Sequence, residues 1–305
     1  AGMKMTASGA DPESNGTFTL EANLANLAAN SEATMPAGVD MKDMGAALGK
    51  GLAMTGEARY GASTYTVEAT AEEGPTTLSG GAQSGTLVFD LSSKGMHYAA
   101  AGSQATMQVQ TTQFPMPLSA NIDTAEFDFA FPLAKAEAAQ PFAGKIGLNG
   151  LSVSDDVWSL LDPQKHLPHD PATLVIDLSG TVKPLVDLFS PEAAKATTPP
   201  VQIDSLTLNR LQLTLAGADL NGKGAMTFDN TTSTPMPLGA IDLKLAGANK
   251  LMDSLVAMGL MPQDQVMFAR MMLGLYAVPA GDDLMTSKIE FKEGGQILAN
   301  GQRIQ

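Results

Sequence analysis

The chain has 305 residues, 44% hydrophobic and 16% charged, with a net charge of −14 and no cysteine. That apolar content excludes a wholly disordered chain, while the charged fraction lies well below the roughly 25% usual in soluble domains. The acidic balance argues against nucleic acid as a partner and against broad electrostatic docking on anionic headgroups, but not against an apolar lipid tail, and the missing thiols remove disulfides, zinc–thiolate sites and iron–sulfur clusters.

Taken in chain order, alternating segments bounded by Gly, Asn and Pro dominate. Strand-like sequence starts at Met3 to Thr6, and Thr17 to Leu20 places Phe18 and Leu20 on one face. Leu87, Phe89 and Leu91 alternate with Val88 and Asp90, and Phe127, Phe129 and Phe131 with Asp128 and Ala130. Later come Leu211, Leu213 and Leu215, then Ile241, Leu243 and Leu245, and finally Ile289 and Phe291 between Lys288, Glu290 and Lys292. One apolar and one wet face per segment is the pattern of antiparallel strands over a single core. Helices are predicted over Met41 to Lys50, Asp155 to Leu161, Lys183 to Phe189, Asn249 to Met258 and Gln263 to Tyr276. Two of them follow the same plan of strand, glycine break and short helix, at Gly180 and at Gly247. The Pro-rich stretch Ala194 to Pro200 marks a boundary between lobes 1–193 and 201–305, which could also form one continuous domain.

The chain also matches itself. Thr111-Thr112-x-x-Pro115-Met116-Pro117-Leu118-x-Ala120-x-Ile122-Asp123 returns as Thr231-Thr232-x-x-Pro235-Met236-Pro237-Leu238-x-Ala240-Ile241-Asp242, 120 positions on through the prolines. A shorter pair links Met3–Phe18, with Gly9-Ala10-Asp11 and Asn15-Gly16, to Leu211–Phe228, with Gly217-Ala218-Asp219 and Asn221-Gly222. Asn-Gly supplies the positive backbone angles of a tight hairpin, so both copies predict hairpins turning there. The expected fold is mainly β: a long curved antiparallel sheet or sandwich with two related halves and short capping helices.

Candidate chemistry is sparse. In the C-terminal helical pair, Leu251, Leu255 and Met258 share a stripe flanked by Met252 and Val256. Met267, Met271 and Leu275 form another beside Phe268, Met272 and Tyr276, interrupted only by Arg270. Such surfaces suit core packing, a lid over a lipid or other apolar ligand, or a groove for a partner protein. The ligand-binding residues of the lid reading are Leu251, Met252, Leu255, Met267, Met271 and Leu275. His166-Leu167-Pro168-His169-Asp170 has a proline where a helical histidine pair would need regular register, and reads as a wet loop rather than a metal site. Gly45 to Gly51 lacks the spacing and the Ser/Thr of a phosphate loop, and Asp219 to Gly222 lacks the later acidic ligand of a calcium loop. Trp158 reads as a core anchor. Without a serine nucleophile elbow, the chain is read as non-enzymatic with no cofactor or metal, a hydrolase with carboxylates from distant loops being the outlying alternative.

Gly239-Ala240-Ile241-Asp242-Leu243, Leu251-Met252-Asp253-Ser254-Leu255 and the closing Gly295-Gln296-Ile297-Leu298-Ala299-Asn300-Gly301-Gln302 resemble a proteobacterial envelope family, domain of unknown function 2125, over roughly the last two-thirds of the chain. The closing segment is also similar to AsmA-like envelope proteins, several of which are thought to hold lipid tails along an apolar β groove. The resemblance implies export to the periplasm or the periplasm-facing envelope of a Gram-negative bacterium. It implies no catalytic residues. Ala1 at the start is expected to be processed or internal, with a signal peptide upstream, and no apolar run reaches the ~20 residues of a membrane-spanning helix. The expected function is to bind or convey an apolar ligand such as a lipid tail, with a structural module engaging another envelope protein as the alternative.

Overall fold

The computed structural model describes residues 2–10, 16–40, 43–71, 74–114, 116–232 and 234–305. Asp11 and Asn15 of the first predicted turn, Met41 of the first predicted helix and Pro115 of the long repeat lie outside them. The strands are β1 (Met3–Ala10), β2 (Thr17–Leu24), β3 (Ala28–Thr34), β4 (Ala53–Tyr60), β5 (Ser63–Ala71), β6 (Gly74–Ala82), β7 (Ser84–Leu91), β8 (Gly95–Thr111), β9 (Leu118–Pro132) and β10 (Gln140–Val153). After them come β11 (Ala172–Pro184), β12 (Val201–Leu215), β13 (Ala218–Asp229), β14 (Met236–Ala246), β15 (Val278–Gly281), β16 (Leu284–Phe291), β17 (Ile297–Ala299) and β18 (Gln302–Arg303). Among the described residues five α-helices sit between them: α1 (Met44–Gly49), α2 (Asp155–Leu161), α3 (Pro191–Lys195), α4 (Ala248–Ala257) and α5 (Gln263–Tyr276).

All 18 strands join one antiparallel sheet that does not close. It is an up-and-down meander of long runs, several of which are broken in the middle. The pairs Thr17↔Thr70 to Leu24↔Ser63 continue without slip as Ala28↔Arg59 to Thr34↔Ala53, so β2–β3 and β5–β4 are two long partners. The same holds for β4–β5 against β7–β6, and for β6–β7 against the single strand β8. From β8 onward each strand pairs with the next through β14, and β16 follows β14. Strands β11 and β12 pair along their length on either side of Ala194 to Pro200, so one sheet runs through that connector.

The breaks align into a crease. Asn26 (φ 53°), Gln104 (φ 49°) and Gly150 (φ 68°) take left-handed backbone, with Gly61 and Gln83 at the matching level of the strands between. Short bonds bridge it: Gly61 N–H donates to the Ala25 carbonyl at 2.8 Å, Gln83 N–H to the Ser103 carbonyl at 3.0 Å, and Gln104 Nε2 to Asp123 Oδ1 at 3.1 Å. The sequence alternation slips by one residue at this level. In β8 the apolar set is Met96, Tyr98, Ala100 and Gly102 on one side of the crease, then Ala105, Met107 and Val109 on the other. One bulged residue per strand resets the parity, so the apolar side chains stay on one face while the strand bends.

The predicted helices fall at Asp155–Leu161 and Gln263–Tyr276 to the residue, and at Ala248–Ala257 and Met44–Gly49 within a few. Lys183 to Phe189 is not a helix. β11 runs on to Pro184, and Gly180 is an extended strand residue whose missing Cβ makes room for the Phe142 ring at 2.6 Å. The Asn221-Gly222 turn is also corrected, because both residues lie inside β13. The hairpin turns instead at Ala216 (φ 49°) and Gly217 (φ 82°), which supply the two positive angles. Both copies of the long repeat lie at a junction between paired strands and run into the second of them, β9 after β8 and β14 after β13.

Candidate functional site

The register assigns each side chain to a face. Phe127 lies between Ala100 and Ile146, Ile146 opposite Ile176, Ile176 opposite Leu211, and Leu211 opposite Gly222 and then Leu243. Toward the N-terminus the same face carries Tyr98, Phe89 and Met54 on one side of the crease, and Val109, Leu78, Val67, Leu20 and Ala7 on the other. The row is apolar across the width of the sheet. Aromatic rings lie flat over glycines of neighbouring strands: a Cβ at Gly9, Gly56, Gly80 or Gly85 would run into Phe18, Phe89, Tyr65 or Tyr60. Tyr98 and Phe127 meet at 5.9 Å between ring centres, and Phe131 and Phe142 at 6.0 Å. The flat rings and missing Cβ atoms leave a smooth apolar floor.

The opposite face is mainly polar, with cross-strand pairs such as Lys145–Glu126 at 2.8 Å, His97–Asp128 at 3.0 Å and Asn209 Nδ2 to Asp177 Oδ1 at 2.8 Å.

Little covers the apolar face. The described strands all belong to one sheet, and helices touch it only locally, as α4 does at β13 and α2 at β9. Ile146 is 48% exposed, Phe18 47% and Leu213 39%. A compact chain of 31.6 kDa would expose about 12,100 Å2; this one exposes 18215 Å2. One corner is sealed: α1 and the turn after it bring Ala47, Leu48 and Leu52 against Leu133, with Met54, Leu91 and Met96 of the sheet packed on them. Asp43 caps that helix by accepting from the Ala46 N–H at 2.9 Å.

The six residues of the predicted lid do not act as one surface. Met252 is buried and Leu251 and Leu255 are half-buried on α4, whereas Met267, Met271 and Leu275 are exposed, Met267 by 63%. The reason lies in Arg270, which donates from Nε to Asn249 Oδ1 at 3.0 Å and from Nη2 to Asp253 Oδ1 at 2.7 Å. That clamp and buried Val266 turn one side of α5 to α4, so the methionine stripe and Phe268 point outward. The N-terminus of α4 is held by Asp283, which accepts from the Asn249 and Lys250 N–H groups at 2.9 and 3.0 Å.

The predicted wet loop is a packed hub. Asp162 is 1% exposed and accepts from the His166 N–H at 3.0 Å and the Leu167 N–H at 2.7 Å, with His166 Nδ1 at 3.3 Å. Burial pushes its carboxyl pKa up, but these hydrogen bonds and the His166 ring outweigh burial and hold it below the ordinary carboxylate value. Trp158 stacks on His169 at 4.1 Å, and Ser254 Oγ donates to the His166 carbonyl at 2.9 Å, tying the loop to α4. Sequence reading missed Asp162, whose only signal was its place just past the last turn of a helix, before a Pro-rich loop. No group of three or more potential metal ligands occurs among the described residues, and no helix among them is long and apolar enough to cross a membrane.

No curated protein and no solved structure matches the chain. The family match extends well beyond the last two-thirds: residues 6–300, from β1 to the turn after β17, fit the family described as "Uncharacterized protein conserved in bacteria (DUF2125)", and the chain belongs to it.

Proposed function

We propose that this protein is a non-enzymatic component of the Gram-negative envelope, facing the periplasm, that binds or conveys an apolar ligand such as a lipid tail along the open face of its sheet. The observation that carries the reading is the continuous apolar floor, built by every long strand and left open to solvent. A fold that had only to be stable would bury that face under a second layer, since each buried methylene contributes about 0.8 kcal/mol. An acyl chain lying on the floor recovers the same term, and flat rings over glycines accept it without steric selection. The tail needs no charge on the protein, so the acidic balance is no obstacle.

Native mass spectrometry after gentle purification tests this. Bound phospholipid or fatty acid, or uptake of added palmitate, is the expected result; a clean protein mass that takes up neither overturns it. A second reading has its own support in the outward stripe of α5, where Met267, Phe268 and Met271 are exposed together. On that reading the protein is a structural module whose α5 engages another envelope protein. Recovery of one stoichiometric protein partner, lost on Met271→Gln and unaccompanied by lipid, would favour it.

A further inference from the structure

The hydrophilic face holds a second feature, unconnected with the apolar floor. Across β13, β14 and β16, Lys223 is paired directly with Asp242 and Asp242 directly with Lys288, while Lys244 follows Asp242 by two residues on the same face. Three ammonium groups therefore surround one carboxylate on strands about 4.8 Å apart. Arg210 adds a fourth cation from the bulge in β12 that opposes Lys223. No ion pair within 4.0 Å engages Lys223, Lys244 or Asp242 among the described residues, and Lys288 has its acid, Glu290, at 3.6 Å.

These residues rim a depression of roughly 470 Å3 whose lining includes Asn209, Asn221, Lys223, Asp242, Lys244 and Lys288. It sits on the polar side of Gly222, because the space on the other side is taken by Leu211 and Leu243, which a Cβ there would meet at 3.2 and 2.7 Å. Like charges set beside one another on a sheet repel. The chain has 32 acidic residues against 18 basic ones, so acids to neutralise each lysine are plentiful. Here Lys223 and Lys244 instead border a hollow without an ion pair within 4.0 Å among the described residues, and Asp242 is the one carboxylate set between the strands that carry Lys223 and Lys288.

We propose that this depression is an anion site for a phosphate group, held mainly by Lys223 and Lys244 with Lys288 and Arg210 at its rim. A phosphate group carries about one charge as a diester and nearly two as a monoester, with two or three strong acceptor oxygens, and lysine ammoniums bind it as mobile point charges that need no preset geometry. Either a soluble phosphate ester or a phospholipid headgroup presents that group.

Three measurements test the site. Thermal unfolding in inorganic phosphate and in chloride at equal ionic strength should show extra stabilisation by phosphate. Equilibrium dialysis should then show at least a tenfold loss of phosphate affinity in the Lys223→Gln/Lys244→Gln variant, and no loss in Lys145→Gln, whose ammonium is already paired with Glu126. Lys223 and Lys244 are exposed, so the double variant is expected to fold, and Lys288→Gln is a second route if it does not. Sedimentation with phosphatidylcholine vesicles, with and without phosphatidylglycerol, separates the sources. Phosphatidylglycerol-dependent binding lost in the double variant identifies a headgroup, and phosphate binding without it a soluble ester. Equal behaviour in phosphate and chloride, or a double variant that binds like the parent, overturns the proposal. An apolar-face variant such as Ile146→Thr should leave phosphate binding intact, so this site and the lipid reading fail separately.

Discussion

Two helical regions meet this sheet in opposite ways. At the α1 corner the helix turns its apolar residues inward, and Leu52 and Ala47 disappear among Leu133, Met54 and Met96. At the α4–α5 end the second helix turns its largest apolar residues outward, held that way by Arg270. Residues of similar hydrophobicity thus serve as core in one place and as surface in the other. The sheet face between them is of the second kind. The contrast separates two regimes: a small dry corner is fully buried, while much of the remaining hydrophobic content stays half-buried or exposed.

The contrast breaks most directly at Leu52, which is 0% exposed. Leu52→Ala should cost about 2–5 kcal/mol, because the rigid corner cannot collapse into the space left. Urea unfolding followed by far-ultraviolet circular dichroism checks this. A cost below about 1 kcal/mol would mean that the corner is as loose as the open face.

Next in size is the Asp162 hub beside α4. Its carboxyl pKa is lowered in the folded protein, so its contribution to stability is fully present above the ordinary aspartate value, about 4, and is lost as pH falls through the lower folded value. Asp162→Asn keeps the shape but not the charge that satisfies two backbone N–H groups. It should lower the urea midpoint at pH 7 and flatten the fall in stability below about pH 4. An unchanged slope would place acid sensitivity on other carboxyls held low, among them Asp283 at the start of α4, Asp229 and Glu290.

Much of this was legible in the residues, and the misses have physical causes. Alternation located the strands because each has one wet face, and even the crease was written as a parity slip between Gly102 and Ala105. Gly180 and Gly247 follow similar strands, yet only Gly247 opens a helix. It takes φ 75° close against Gly217, whereas Gly180 stays extended beneath Phe142, a partner contributed by another strand. Asn221-Gly222 lost the turn to Ala216-Gly217 for the same reason, since Gly222 is needed flat between Leu211 and Leu243. Helical periodicity found the stripe of α5 but could not orient it, because orientation depended on what Arg270 would reach. Lys223 and Lys288 become neighbours of Asp242 only through register, so the basic hollow left no local trace.

The smallest stability effects carry the most functional information. Ile146→Thr on the open floor and Met271→Gln on α5 each alter a side chain at least 48% exposed, so each should shift stability by no more than about 0.5 kcal/mol. Threonine also keeps the β-branched shape that suits a strand. Their consequences for binding should diverge. If the floor holds an acyl chain, Ile146→Thr sets a hydroxyl beside Phe127 and Ile176 in the middle of the path, and lipid recovered in native mass spectra should fall while Met271→Gln retains it. If α5 is instead the working surface, Met271→Gln abolishes partner capture and Ile146→Thr is silent. Matched stability makes the pair decisive, because neither loss could then be attributed to unfolding.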